Sequence, residues 1–194
     1  MKSWKNIDKT GWGDGPWNDE PDKIQWIDEA TGMDCLIVRG PMGALCGYVG
    51  VPPEHPWHGI PYSGREYDWE NREADSLLPP ATQVVPRDEA PDAHVEVHGG
   101  LTYSDSCDEE APDGTGICHI PEPGRPENVW WFGFDCAHFR DLAPIMEKTR
   151  RERYEQASTE DEKRIWREPD ICVYRSVDYV REQCAGLALQ ISRV

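Results

Sequence analysis

The sequence lacks any apolar run approaching the roughly 18 residues needed to cross a bilayer, and it opens on Met1-Lys2-Ser3-Trp4-Lys5-Asn6, with no hydrophobic stretch of a secretion signal. The expectation is a soluble, cytoplasmic protein with no membrane partner. Gly-x-Gly-x-x-Gly and Gly-x-x-x-x-Gly-Lys-Ser/Thr are both missing, which removes the usual dinucleotide and phosphate-loop signatures. Basic residues are scarce, with 20 Lys and Arg against 37 Asp and Glu giving a formal charge of −17. That balance opposes the counterion release that drives nucleic-acid binding, so no direct nucleic-acid partner is expected. Phenylalanine is rare, only 3 residues, and 9 tryptophans supply the large aromatic area instead.

What is present describes a loop-rich domain. The 194 residues suffice for one core and contain no linker, so 1–194 reads as a single domain. It divides into an irregular Trp-rich arm over 1–30, sheet and loops over 31–140, and a mainly helical 141–194. The 17 Gly and 17 Pro point to long loops around a small sheet. The fold class expected is α+β, with a mainly antiparallel or mixed sheet, long Gly/Pro/Trp-rich loops and C-terminal helices. Seven cysteines, an odd number with no Cys-x-x-Cys pair, favour free thiols or metal ligation over a disulfide framework in a reducing compartment. Cys107, Cys118 and His119 form a conceivable zinc clamp, although ten intervening residues are not a known ligand spacing, and free thiols are the preferred reading.

Along the chain, two apolar runs at 35–39 and 44–51 flank Gly40-Pro41-Met42-Gly43 and predict a β-hairpin. Residues 52–92 and 105–128 read as two long excursions that rim a site. Trp130-Trp131-Phe132-Gly133-Phe134 reads as a strand. Asp141 is expected to cap a helix over 142–156, with Pro144 in its first turn. Ser158 with Asp161 resembles a capping box for a short helix ending before Pro169. Residues 171–174 read as a strand. Ser176 then caps a final helix whose Val177, Val180, Cys184, Leu187 and Ile191 recur on one face as core.

The most informative stretch is Asp92-Ala93-His94-Val95-Glu96-Val97-His98-Gly99-Gly100. Read as a strand, it buries Val95 and Val97 and presents His94, Glu96 and His98 on the other face. His94 and His98 would stand about 13 Å apart, too far to share an ion, so His98 is the better candidate. Gly99 and Gly100 after it allow close backbone approach to a ligand. If the 130–134 strand is its neighbour, Asp135 and His138 meet His98. Two imidazoles and a carboxylate can hold a divalent metal (Zn, Mn or Fe), or act as base and orienter. A nucleophilic Cys136 is a weaker alternative, and hydrogen-bonded structural histidines are the plain one.

The strings Gly47-Tyr48-Val49-Gly50-Val51-Pro52-Pro53, His98-Gly99-Gly100-Leu101-Thr102-Tyr103 and Trp130-Trp131-Phe132-Gly133-Phe134-Asp135-Cys136-Ala137-His138 resemble a family of uncharacterised bacteriophage- and prophage-encoded proteins over roughly residues 10–190. The resemblance implies a phage context and no activity. Small accessory phage proteins often counter host immunity, by analogy rather than chemistry.

Three expectations follow. The first is a binding protein for a compact, nucleotide-like ligand, using His98, Gly99, Gly100, Tyr103, Trp131, Asp135 and His138. The second is a metal-dependent hydrolase with His98, Asp135 and His138 as ligands and Glu96 or Asp141 as general base. The third is an acidic inhibitor docking on a basic, nucleic-acid-binding host protein, such as a host defence protein, through the runs 66–75 and 105–110. The first is preferred, because the Gly, Pro and Trp invested in loops exceed what a decoy surface needs.

Overall fold

Alternating side chains in six short segments build one antiparallel sheet. In the computed structural model, which describes residues 1–63, 86–107, 116–167 and 172–194, the strands are β1 (Lys2–Trp4), β2 (Lys23–Ile27), β3 (Asp34–Arg39), β4 (Leu45–Val51), β5 (Tyr103–Ser106) and β6 (Trp130–Asp135). Their spatial order is β1-β2-β3-β4-β6-β5. Three helices follow, α1 (Pro144–Gln156), α2 (Glu160–Trp166) and α3 (Val177–Ile191). This is the expected α+β class. The run 66–75, Leu78-Pro79-Pro80, residues 108–110 and Ile171 lie outside the described residues.

The hairpin forms as expected, with Arg39 opposite Leu45 at its closed end. The supposed arm does not stay irregular, because β1 and β2 extend the sheet from its β3 edge. Lys-Ile-Gln-Trp-Ile does alternate, but its polar positions Lys23 and Gln25 are buried rather than solvated. Lys23 donates to the Gly116 carbonyl at 2.7 Å. Gln25 exchanges two hydrogen bonds with the Ile120 backbone, at 2.7 and 2.9 Å. Buried polar groups keep their place only when bonded, and these two pin the second excursion across the sheet.

Each sheet face carries its own core. On one side Ile37, Val49, Phe132 and Phe134 pack with Val180, Cys184, Leu187 and Ile191 of α3. The helix comes close because β4 has Gly47, where an added Cβ would lie 2.4 Å from the Phe134 ring and 2.7 Å from Cys184 Sγ. On the other side Leu36, Val38, Tyr48, Val129 and Trp131 form a smaller core, with Cys107 and Ile117 packed against it. Cys107 and Cys118 are joined there as a disulfide, while the other five cysteines are free. Free thiols at 107 and 118 were expected. The fold brings their Cα atoms to 4.6 Å, within bonding reach.

Three local expectations also shift. The capping box is Thr159 with Glu162, not Ser158 with Asp161, since Glu reaches back to the N-cap amide where Asp is too short. Ser176 does cap α3. Of the expected 171–174 strand, the described residues 172–174 form a single parallel bridge, between Val173 and Asp141.

A buried polar knot ties the N-terminal segment, the hairpin and α3 together. The Arg39 side chain is fully buried between Asp22 and Glu20. It donates to Asp22 Oδ1 at 3.0 Å, the Gly43 carbonyl at 3.0 Å, the Tyr174 hydroxyl at 2.8 Å, and Glu20 Oε2 and the Pro21 carbonyl at 3.2 Å each. Lys9 pairs with Asp22 at 2.6 Å, and Glu20 Oε1 accepts the first amide of α3 from Val177 at 3.0 Å.

Candidate functional site

Residues 95–97, between turns at His94 and at His98 and Gly99, join no ladder. Pro91–Ala93 forms a 3-10 turn and no strand follows it before β5. The alternation nevertheless holds in burial, with Val95 buried, Val97 half-buried, and His94 and Glu96 exposed. Side-chain amides of α3 replace the missing strand. Gln190 accepts from the Glu96 N–H at 2.8 Å and donates to the Glu96 carbonyl at 2.9 Å, while Gln183 accepts from the His98 N–H at 3.0 Å. The two glutamines stand seven residues, about two helical turns, apart on one face of α3. A segment bonded in this way satisfies its backbone without a sheet neighbour.

His98 and His138 do meet, with ring centroids 5.6 Å apart, although by another route than strand pairing. The neighbours of β6 are β4 and β5. His138 returns to His98 through the turn after β6, closed by the Asp141 amide donating to the His138 carbonyl at 2.9 Å. Gly99 gives the ring its seat. It has φ +68°, and an added Cβ would lie 1.9 Å from His138 Nε2.

Asp141 organises the cluster instead of capping α1, whose N-cap is Ala143 without a side-chain bond. Its Oδ2 pairs with His98 Nε2 at 2.7 Å and accepts the His138 amide at 3.1 Å, and its Oδ1 accepts from Arg175 Nε at 2.8 Å. Burial pushes the Asp141 carboxyl up, but the hydrogen bonds from Arg175 and His98 outweigh it and hold the pKa below the ordinary value. An ionised Asp141 requires His98 Nε2 to carry its proton. In the neutral ring Nδ1 then accepts from the Tyr179 hydroxyl, 2.9 Å away. Phenol, imidazole and carboxylate thus form a proton relay that opens at Tyr179, on the first turn of α3. Arg175 lies over the Tyr179 ring at 4.8 Å.

Around this relay the loop 135–141 adds further polar and exposed groups. Asp135 accepts the Ala137 amide at 2.9 Å and lies 3.7 Å from His138 Nε2. Beyond hydrogen-bond range of that carboxylate, His138 Nε2 is buried without a partner. Phe139 is 89% exposed. Arg140 is exposed and has φ +75°, a left-handed conformation that non-glycine residues adopt at a cost and that clusters at functional sites.

Several expected site residues fall elsewhere. Tyr103 and Trp131 pack in the core across the sheet, and Trp131 is 0% exposed, so it cannot stack on a ligand. Glu96 is held two turns along α3 from the anchor of His98, which argues against it as a base for this cluster. Asp141 is no general base either, because both its oxygens are taken and its proton affinity is low. Cys136 is buried, which drives its thiol pKa far up and leaves no thiolate nucleophile. His94 stands apart, on a cavity of about 460 Å³ lined also by Trp57, Gln190 and Arg193.

The metal set His98, Asp135 and His138 is not assembled. Both nitrogens of His98 are already bonded, and among the described residues only Cys107, Cys118 and His119 bring three ligand atoms within 4.8 Å of one another. Tyr179, Arg175, Gln183 and Arg140 escaped sequence reasoning. For Arg175 and Tyr179 the one available signal is the Ser176 cap, which places them at a helix start. Among the described residues no helix is long and apolar enough to cross a membrane. The chain matches no protein-family model, no curated protein and no solved structure, so its functional reading rests on the chemistry of this cluster.

Proposed function

We propose that this chain is a binding protein for a compact anionic ligand of nucleotide-like chemistry, docked on the 135–141 loop beside His98, Tyr179 and Arg175. The observation that carries the reading is the pair of imidazoles of His98 and His138, ring centroids 5.6 Å apart, beside the exposed side chains of Phe139 and Arg140. Three neighbours favour an anion with an aromatic part. Arg140 and Arg175 supply cationic donors, the first turn of α3 supplies the positive end of a helix dipole, and exposed Phe139 offers a stacking face. In the phage setting that the sequence resembles, such a protein withdraws a nucleotide signal from host defence without turning it over.

The test is a thermal-shift panel of inorganic phosphate, nucleoside phosphates and cyclic nucleotides, alongside native mass measurement of the freshly purified protein. A ligand at 100 times its Kd stabilises by about 2.7 kcal/mol, which for a chain of this size is a shift of roughly 5–11 °C. H138A and H98A should lose it. A flat panel with no retained small molecule would overturn the reading. A second reading, an enzyme, is favoured by the Tyr179–His98–Asp141 relay. It is distinguished by product formation that Y179F abolishes while binding persists.

A further inference from the structure

The second excursion carries chemistry that the His98 cluster does not use. Cys107 directly follows β5, Cys118 lies on the stretch that returns to β6, and His119 follows it immediately. Its ring is buried and edge-on to Trp131, with centroids 5.4 Å apart. The two ring nitrogens are differentiated. His119 Nε2 lies 3.2 Å from the Pro126 carbonyl, which as a pure acceptor requires Nε2 to bear the proton. Nδ1, the lone-pair nitrogen, then faces Cys107 Sγ at 3.9 Å. A metal-ligating histidine has this arrangement, one nitrogen held by a backbone carbonyl and the other aimed at the ion.

The geometry points to a second state of the Cys107–Cys118 pair, in which the reduced thiols and His119 Nδ1 bind one zinc-class divalent ion that takes over the cross-link of the excursion. With Zn–S near 2.3 Å and Zn–N near 2.0–2.1 Å in a tetrahedron, sulfur and nitrogen ligands stand about 3.6 Å apart and two sulfurs about 3.8 Å. The present sulfur–nitrogen separation of 3.9 Å needs adjustment by a few tenths of an ångström. The sulfurs move apart once their bond is broken. Three protein ligands leave the fourth position to water or an added ligand.

The sequence of events balances. A dithiol reductant gives two electrons and two protons to the S–S bond, yielding two thiols while the reductant closes to its own disulfide. The divalent ion then displaces both thiol protons and accepts the two thiolates and the neutral imidazole. Either link serves the same structural end, because the excursion anchored by Lys23 and Gln25 covers the smaller core.

The full chain reduced with a phosphine, which becomes phosphine oxide with oxygen from water, is freed of reductant under anaerobic conditions and titrated with Co(II), then Zn(II). One equivalent of Co(II) per chain is expected, with thiolate charge-transfer absorption and the intense visible bands of a tetrahedral site, bleached by one equivalent of Zn(II). C107S and C118S should each abolish the charge-transfer band or reduce it by about half. His119→Gln should weaken Co(II) affinity at least 10-fold, with circular dichroism confirming the fold. Oxidised wild-type protein should bind none. Spectra that persist unchanged in C107S and C118S assign the metal to the other cysteines and overturn the inference. So does reduced wild-type protein that binds no more metal than the oxidised form.

Discussion

Replacing Arg39 by methionine tests the knot that joins the N-terminal segment, the hairpin and α3. The substitution keeps an unbranched apolar stem about as far as the Nε position but removes a guanidinium with no exposed surface and five hydrogen bonds. Breaking a buried pair by deleting one partner typically costs about 3–5 kcal/mol, because the surviving charge stays desolvated. Here the survivors keep some company. Asp22 retains Lys9 at 2.6 Å and the amides of Asn6 and Ile7 at 2.9 Å each, and Glu20 retains the Val177 amide and the Tyr174 hydroxyl. The loss should therefore sit near the lower end, about 3 kcal/mol, or a fall in Tm of roughly 6–12 °C for a domain of this size. R39K keeps the charge without the planar fork and should lose an intermediate amount. Urea and thermal unfolding followed by circular dichroism read both variants. A loss below about 1 kcal/mol for R39M would refute the argument that the knot depends on this cation.

Three further outcomes follow from the same geometry. Gly99→Ala places a methyl group where the His138 ring sits, at a positive φ, and should destabilise by about 1–3 kcal/mol and displace the His138 resonances. Gln190→Leu removes the amide that stands in for a strand. It should cost about 1–3 kcal/mol, with amide exchange of Glu96 accelerating before that of β4. The carboxyls of Asp22 and Asp141 have folded pKa values below their unfolded ones. For Asp22, burial pushes upward, but the hydrogen bonds and charge of Lys9, the Ile7 amide and the charge of Arg39 outweigh it. Groups lowered in this sense contribute stability that is present above the unfolded value, near 3.8, and is lost as pH falls through the folded one. Denaturant titrations should thus show stability dropping below about pH 4, less steeply in D141N.

The sequence made the hairpin, β6, α1 and α3 legible because each pattern is local: a turn between apolar runs, a proline in a first turn, a Ser cap before a stripe at helical spacing. The meeting of His98 with His138 was also legible, but its cause was not. Residues 92–100 alternate like a strand because Val95 and Val97 do enter the core, yet a ladder partner cannot be deduced from alternation alone, and here two glutamine side chains 85 and 94 residues away take its place. Asp141 has the position and chemistry of an N-cap. Tertiary partners in His98 and Arg175 claim it instead. Lys23 and Gln25 look like the wet face of an irregular arm, since the carbonyls that bury them belong to an excursion more than 90 residues on. Trp131, expected among the ligand-binding residues, falls on the far face of the sheet because residues of β6 alternate between two cores, and only the packing of α3 decides which face lies near His98.

The most direct measurement is a ring-nitrogen NMR spectrum of the protein labelled at its six histidines, recorded before and after addition of each nucleoside phosphate and cyclic nucleotide in turn. A compact anion bound at the 135–141 loop should shift the His98 and His138 signals together while His55, His58, His94 and His119 stay in place. Shifts confined to the other four, or none across the whole series, would contradict the assignment of this cluster as the binding site.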